Sequence, residues 1–369
     1  MIEKGRISPI QLAIFLQPFI LATVSLSVPT ITMITAGRDM WMTPILSSVT
    51  GFWIVYVCYR LHVRFPKQTF IQYTDAILGT YLGKTVTLMY LINFLYSNGI
   101  IVREYGEFIV GTFLLETPMI FIIVCLIAVC AYATFQGLEV WVRVAQLLIP
   151  MAIFLIFLML VIMAPDMHVK EMLPILEYGP LPALRGSIVP SSWYSQFFVI
   201  ALFLPYVKAE PAKVLKWCMI SVASVVLTML SINLSILFLF GEMNKGLSYA
   251  FLTAVRYISL SEFIEHIESI LMAIWLVAIF IKVTVVYYLA VLGTAQWLKV
   301  PDYRVLVFPV GLLMVLFSIW AAPNFEVLKH LLGTSLPLFS LFFQVLIPML
   351  LLWIAVLKGG GKHEHKPNA

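Results

Sequence analysis

The sequence predicts an all-α integral membrane protein with ten transmembrane helices. Its 369 residues are 62% hydrophobic and only 11% charged, with a mean hydropathy of +1.01. A soluble domain carries about 25% charged residues. Ten apolar stretches are each long enough to cross a ~30 Å hydrocarbon core at the ~1.5 Å helical rise. They fall at about 10–34, 42–61, 86–112, 118–135, 144–164, 190–207, 214–240, 266–293, 305–321 and 335–357. An even count places both termini on one side. Of the 23 Lys and Arg residues, fifteen lie on that side, six on the other, and Arg103 and Lys282 within spans. The excess of Lys and Arg predicts a multi-pass protein with both termini in the cytoplasm. The net charge of +5 is therefore a topology signal and points to no nucleic acid partner.

Each element has its own signature. The run Ile10–Ile34 holds 25 residues without a charge, so it spans; it is too long for a cleavable signal. Its second half carries Thr23, Ser25, Ser27, Pro29, Thr30 and Thr32. Pro29 removes a backbone donor, and in lipid the freed groups need partners. Such a segment predicts either a kinked helix with hydroxyls bonded to their own turn or an interruption lining a cavity. The sixth span, beginning PSSWYSQFFVIALFLPYVK, is also polar at its start and carries a late proline, Pro205. Short turns (AGRDMWM, KAEPAK) follow both of these spans. Longer amphipathic segments follow the next spans: FIQYTDAILGTYLGK on the inner side and LSYAFLTAVRYISLSEFIEH on the outer. Repetition with opposite sidedness predicts two inverted five-span repeats and pairs span 1 with span 6 around a midplane cavity. The predicted organisation is an N-terminal segment 1–9, repeats 10–164 and 190–357, an outer loop 165–189 and a cytoplasmic tail 358–369.

Polar residues inside spans define the remaining candidates. Arg103 and Glu107 are four apart, one helical face, so they can pair as a gate or a structural tie. Glu265 and Glu268 open span 8, and Arg103–Glu268 is a second candidate pair. Lys282 lies deep in span 8; it either snorkels to the inner surface or is buried against span 1 as a fixed cation. Gln344 and Asn233 read as inter-helix glue. The four cysteines (Cys58, Cys125, Cys130, Cys218) sit in or beside apolar runs and read as buried hydrophobes. No nucleotide-binding loop, nucleophile elbow or metal-ligand spacing is present in the sequence, so neither an enzyme, a metal nor a cofactor is expected.

The order of these features resembles the spore germination permease family, the B subunits of endospore nutrient germinant receptors. That family lies within the amino acid–polyamine–organocation transporter superfamily. The matching pieces are the Pro29-ended first span before Ala36-Gly37-Arg38-Asp39-Met40-Trp41, and VREYGEFIVGTFLLETP from Val102 to Pro118. Leu202-Phe203-Leu204-Pro205 closes span 6, and Glu265-His266-Ile267-Glu268-Ser269 opens span 8 before Trp275. The resemblance implies a leucine-transporter-like fold in the inner membrane of a spore. It also implies a subunit that binds a small germinant such as an amino acid and signals with an A-type subunit and a C-type lipoprotein. By analogy the pocket falls on Ala22, Thr23, Val24 and Ser25 of span 1 and on Tyr96, Ser97 and Asn98 of span 3. It draws further on Tyr194, Ser195, Gln196 and Phe197 of span 6 and on Met272 and Trp275 of span 8. Relatives often carry glycines where this chain has Ala22 and Val24, which crowds any backbone approach to a ligand. The alternatives to a receptor subunit are a proton-coupled amino-acid transporter and a membrane scaffold that binds no ligand.

Overall fold

A computed structural model describes residues 3, 5–258 and 267–358. Glu265, His266 and the tail from 359 onward lie outside the described residues. Among the described residues, sixteen α-helices account for most of the chain. The first half comprises α1 (Pro9–Ala36), α2 (Thr43–Arg64), α3 (Phe70–Leu78), α4 (Thr80–Thr112), α5 (Met119–Gln136) and α6 (Leu138–Met163). The second comprises α7 (Leu181–Gly186), α8 (Ile188–Ser195), α9 (Ile200–Phe203), α10 (Pro211–Phe240), α11 (Ala250–Ile258), α12 (Ile267–Leu298), α13 (Val307–Trp320), α14 (Phe325–Gly333), α15 (Ser335–Leu341) and α16 (Ile347–Leu357). Among the described residues, nine helical stretches are long and apolar enough to cross a membrane. The first of them, Pro9–Arg64, contains both α1 and α2, so the ten expected spans are all accounted for.

Local chemistry explains where the helices begin and end. Ser8 caps α1: its hydroxyl accepts from the Gln11 N–H at 3.2 Å, while the Gln11 side chain accepts from the Ser8 N–H at 2.8 Å. Pro9 follows at the first helical position, where the missing N–H costs nothing. Gly37, at φ 59°, ends the helix in a conformation that side chains resist, and a 3-10 turn over Gly37–Met42 leads into α2. Helices α4, α6 and α12 run past the apolar stretches that announced them, carrying Lys84, Arg143 and Gln296 beyond the expected span limits. Hydropathy marks the part of a helix that lies in lipid, whereas capping groups such as Gly79 and Gly137 set its end. The last span is divided by a π-helical turn over Phe342–Leu346 between α15 and α16.

The inverted repeat is visible in where the short helices sit. Amphipathic α3 precedes α4 and packs on it, and Lys358 donates to the Ile77 carbonyl of α3 at 2.8 Å. Amphipathic α11 lies at the far end of α4, where Arg256 reaches the Thr112 carbonyl at 3.2 Å. The 33 residues of α4 separate those two ends by about 50 Å. Helix α1 is the hub: it packs against α6, α8, α10, α11 and α12, and 21 of its residues are buried. Apolar residues on α5, α6 and α16, such as Phe121, Leu147, Phe154 and Trp353, point outward, as a lipid-facing surface requires.

The first span departs from the expected interruption. Helix α1 runs without a break from Pro9 to Ala36, through Pro18 and Pro29. Ser25 and Thr32 bond back to the Leu21 carbonyl at 2.7 Å and the Val28 carbonyl at 3.0 Å, keeping polar groups inside the turn. With Ala22 and Val24 in place of glycine, the residues at this level favour the α region. Span 6, in contrast, is broken: a 3-10 turn (Gln196–Val199) separates α8 from the single turn of α9, and a second (Leu204–Tyr206) ends it at Pro205. Its run Phe197-Phe198-Val199-Ile200 is aromatic and β-branched, weak helix formers held by packing.

Close packing of α4 on α13 depends on Gly99, where an added Cβ would sit 2.8 Å from the Phe317 backbone. Gly99→Ala is expected to cost about 1–3 kcal/mol and to lower the abundance of the protein in the membrane. Its melting temperature in detergent, compared with the unchanged chain, checks this.

Candidate functional site

A cavity of about 80 Å³ lies midway along α1, bounded by α1, α4, the broken sixth span, α12, α14 and α15. That is room for several waters or one compact solute. Its polar wall is made by Thr23, Asn93, Ser97, Glu104, Gln196, Lys282 and Gln344, and its apolar wall by residues including Ile100, Ile101, Val286, Leu332 and Leu336.

Lys282 anchors the polar wall. It is fully buried, and its Nζ donates to Thr23 Oγ1 at 2.7 Å and to Gln196 Oε1 at 2.9 Å. The ammonium also sits 5.4 Å from the centre of the Phe19 ring, within reach of its π-face. Of the two alternatives for this side chain, the geometry places it against α1, away from the surface. Thr23 is held from a second direction, accepting from Trp193 Nε1 at 2.9 Å, so one hydroxyl ties α1 to both α8 and α12. Asn93 Nδ2 is buried at the wall without a partner among the described residues. Four residues beyond Thr23, Ser27 donates to Glu104 Oε1 at 3.0 Å. Glu104 is 3% exposed, and no ion pair joins it to Lys282 among the described residues.

The structure brings together some of the predicted residues and disperses others. Thr23, Ser97 and Gln196 line the cavity. Ser195 backs it, donating at 2.7 Å to Gln344 Oε1, so Gln344 belongs to the wall as well as to the helix contacts. Ser25 faces Trp275, whose Nε1 donates to its hydroxyl at 3.1 Å, and Trp275 packs edge-on against Phe108 at 4.9 Å. Asn98 turns toward the Val283 carbonyl at 3.4 Å and Met314. Ala22, Val24, Tyr194 and Phe197 are buried away from the cavity wall, and Met272 packs at the edge of the core. Tyr96 meets Phe339 and lines a separate apolar cleft between α4, α13 and α15. These residues share the right depth, but a helix aims only about one side chain in three or four at a given neighbour. Glu104 escaped the pocket prediction although its sequence position, seven residues beyond Ser97, places it on the same helical face.

Packed side chains stand at both ends of the cavity. At the end nearer the N-terminal segment Phe15, Trp141, Phe203 and Tyr288 form an aromatic plug with ring centres 5.1–6.1 Å apart. Beneath it Glu3 accepts from Tyr288 at 2.7 Å and Tyr303 at 3.2 Å, and Ile7 pairs with Val207 through backbone bonds. At the opposite end Glu104 and Leu332 separate the cavity from a small space lined by Ser27, Tyr249, Phe325 and Lys329. Near that end Arg103 gives its fork to Glu107 at 3.0 and 2.7 Å and reaches the Pro323 carbonyl at 3.3 Å. Glu268 is not among the partners of Arg103.

Two five-span repeats around a midplane cavity, with one span broken, define a membrane protein of the leucine-transporter fold. Among solved structures, the substrate-bound outward-open state of a Na⁺-coupled sialic acid symporter superposes with a TM-score of 0.65 at 13% identity, over 95% of this chain and 79% of that one. Mhp1, a nucleobase-cation-symport-1 family transporter in a closed conformation, gives 0.63 at 13% identity, over 94% and 78%. The chain belongs to the spore germination protein family, whose model matches residues 6–326. Spore germination protein KB of Bacillus subtilis is 29% identical over 99% of this chain and 98% of its own length. Spore germination protein YndE of the same organism is 27% identical over 97% and 98%.

Burial of Lys282 has a direct consequence. Lys282→Ala strips a donor from Thr23 and Gln196 and is expected to lower stability by about 1–3 kcal/mol, read as reduced abundance and a lower melting temperature. An unchanged melting temperature would place the amine in water.

Proposed function

We infer that this protein is the membrane subunit of a spore nutrient germinant receptor, binding a small germinant, an amino acid, in the midplane cavity and triggering germination. The observation that carries this reading is the cavity of about 80 Å³, lined by Lys282 and Glu104, in a chain of the spore germination family. A fold shared with solute symporters supplies the cavity, and the size suits a compact solute. The same reading takes the repeats as 10–164 and 190–357, joined by the outer loop 165–189. It places the chain in the inner membrane of the spore with both termini in the cytoplasm, where fifteen of the 23 basic residues would lie. Its partners are then an A-type receptor subunit and a C-type lipoprotein, with the outward-facing apolar helices available to lipid or to them. The Arg103–Glu107 pair serves as an outer gate or tie.

A second reading, transport of amino acids, draws on Lys282: a fixed cation between α1 and α12 could stand in for a coupling ion. Deleting the gene and scoring germination over a panel of nutrients separates the two, because loss of response to one nutrient supports the receptor. Concentrative, saturable uptake of labelled amino acid into proteoliposomes would support the transporter instead.

Thr23→Leu removes the acceptor shared by Lys282 and Trp193. It is expected to raise the nutrient concentration needed for half-maximal germination by about tenfold, with the dose response normalised to the amount of protein in the membrane. An unchanged dose response at equal abundance removes Thr23 from the site.

A further inference from the structure

We propose that the ends of α3, α4, α12 and α16 form a site for the phosphate headgroup of an anionic phospholipid, held by Lys84, Lys299 and Lys358. The site is separate from the midplane cavity and stands whatever that cavity binds.

Elements far apart in sequence bring these lysines to the last turn of α3. Lys358, at the end of α16, donates to the Ile77 carbonyl at 2.8 Å. Lys84, near the start of α4, lies over the Trp297 ring at 5.9 Å, and the Trp297 indole donates to the Lys84 carbonyl at 3.1 Å. Lys299 follows α12 at φ 60°. Its N–H reaches the Gln296 carbonyl at 3.3 Å, and the Val300 N–H reaches the Ala295 carbonyl at 2.9 Å. This pair of bonds closes a helix around a left-handed residue that is usually glycine; here a lysine fills the position. Lys84 and Lys299 both bear on Asp75, two residues before Ile77. Burial pushes the Asp75 carboxyl up, and the two ammonium groups oppose that. Gly83 lets α3 and α4 meet at this corner, since an added Cβ would sit 2.6 Å from Asp75 Cα.

The corner is short of negative charge. Three ammonium groups face the Asp75 carboxylate, and Asp302 is turned to the Arg304 N–H at 3.0 Å. Among the described residues no hydrogen bond or ion pair takes up the ammonium of Lys84 or Lys299, and Lys358 uses one of its three donors. Beside the lysines an apolar shelf projects outward: Tyr81 is 91% exposed, and Leu82, Leu298 and Leu357 are more than half exposed. A tyrosine and apolar chains at the end of a span suit the bilayer interface. Cations next to exposed hydrocarbon complement a phospholipid, whose phosphate takes charge-assisted hydrogen bonds while its chains cover the apolar residues. A soluble anion would use the lysines and leave the shelf bare. A zwitterionic headgroup would bring another cation to a site that already has three. One anionic headgroup seated here ties the ends of α4, α12 and α16 to α3.

Native mass spectrometry of the full chain, titrated with phosphatidylglycerol or phosphatidylcholine at fixed ionic strength, tests this. Phosphatidylglycerol is expected to bind about tenfold or more tightly. Lys299→Gln, whose ammonium makes no protein hydrogen bond, should weaken it about fivefold, and Lys84→Gln, Lys299→Gln and Lys358→Gln together about a hundredfold. The exposed Lys208, Lys213 and Lys216 carry the same charge beside the N-terminal segment, and changing all three to Gln should leave the affinity unchanged. Equal weakening by this control means diffuse attraction to a basic surface and overturns the proposal. Equal affinity for the two lipids overturns it as well. Displacement of phosphatidylglycerol by equimolar inorganic phosphate would assign the lysines to a soluble anion and overturn the lipid reading. Where the triple change fails to fold, Lys299→Gln alone decides: unchanged affinity sinks the site.

Discussion

An amine buried halfway across a bilayer constrains everything around it. Moving a charge out of water is expensive, so Lys282 must be surrounded by acceptors that the fold keeps in place. Here those acceptors come from two other spans: Thr23 on α1 and Gln196 at the first 3-10 residue of the broken sixth span. The ring of Phe19 adds a π-face to the same ammonium. Three elements distant in sequence are thereby held in one register, and the cavity lies between them. Trp193 donates to the same Thr23 hydroxyl, so the position of α8 is coupled to that of Lys282 through a single oxygen.

The two central spans absorb their hydroxyls alike and differ in helical continuity. In α1 hydroxyl side chains are absorbed by the carbonyls of their own turn, and the helix passes two prolines intact. In span 6 the hydroxyls of Ser191, Ser192 and Ser195 bond back to carbonyls of their own turn as well, and the tight 3-10 turns fall after them, over Gln196–Val199 and Leu204–Tyr206. Ala22 and Val24 are buried in the core beside the continuous backbone of α1.

The closures at the two ends differ in strength. The inner end combines an aromatic plug, a buried carboxylate shared by two tyrosines and a backbone pairing between the N-terminal segment and Val207. The outer end is thinner, with Glu104 and Leu332 standing between the cavity and the space under α14.

Composition, periodic apolar runs and loop charge were sufficient to read ten helices and the inverted repeat from the sequence, because lipid tolerates few structures and the cost of burying charge is written residue by residue. The polar halves of spans 1 and 6 marked Thr23 and Gln196 as cavity residues, and the family resemblance added Ser97. What the sequence left open was rotation and continuity. Pro29 was compatible with a kink or a break, and only packing around α1 decided for an unbroken helix. Lys282 was compatible with surface or burial, since a long side chain can reach either until its neighbours are placed; Thr23 and Gln196 place it. Tyr96 and Asn98 flank Ser97 in sequence yet point to other partners, and Glu104 points in, because tilt and rotation of a helix are set by contacts with the whole bundle. Depth in the membrane is a property of sequence, while direction is decided by tertiary structure.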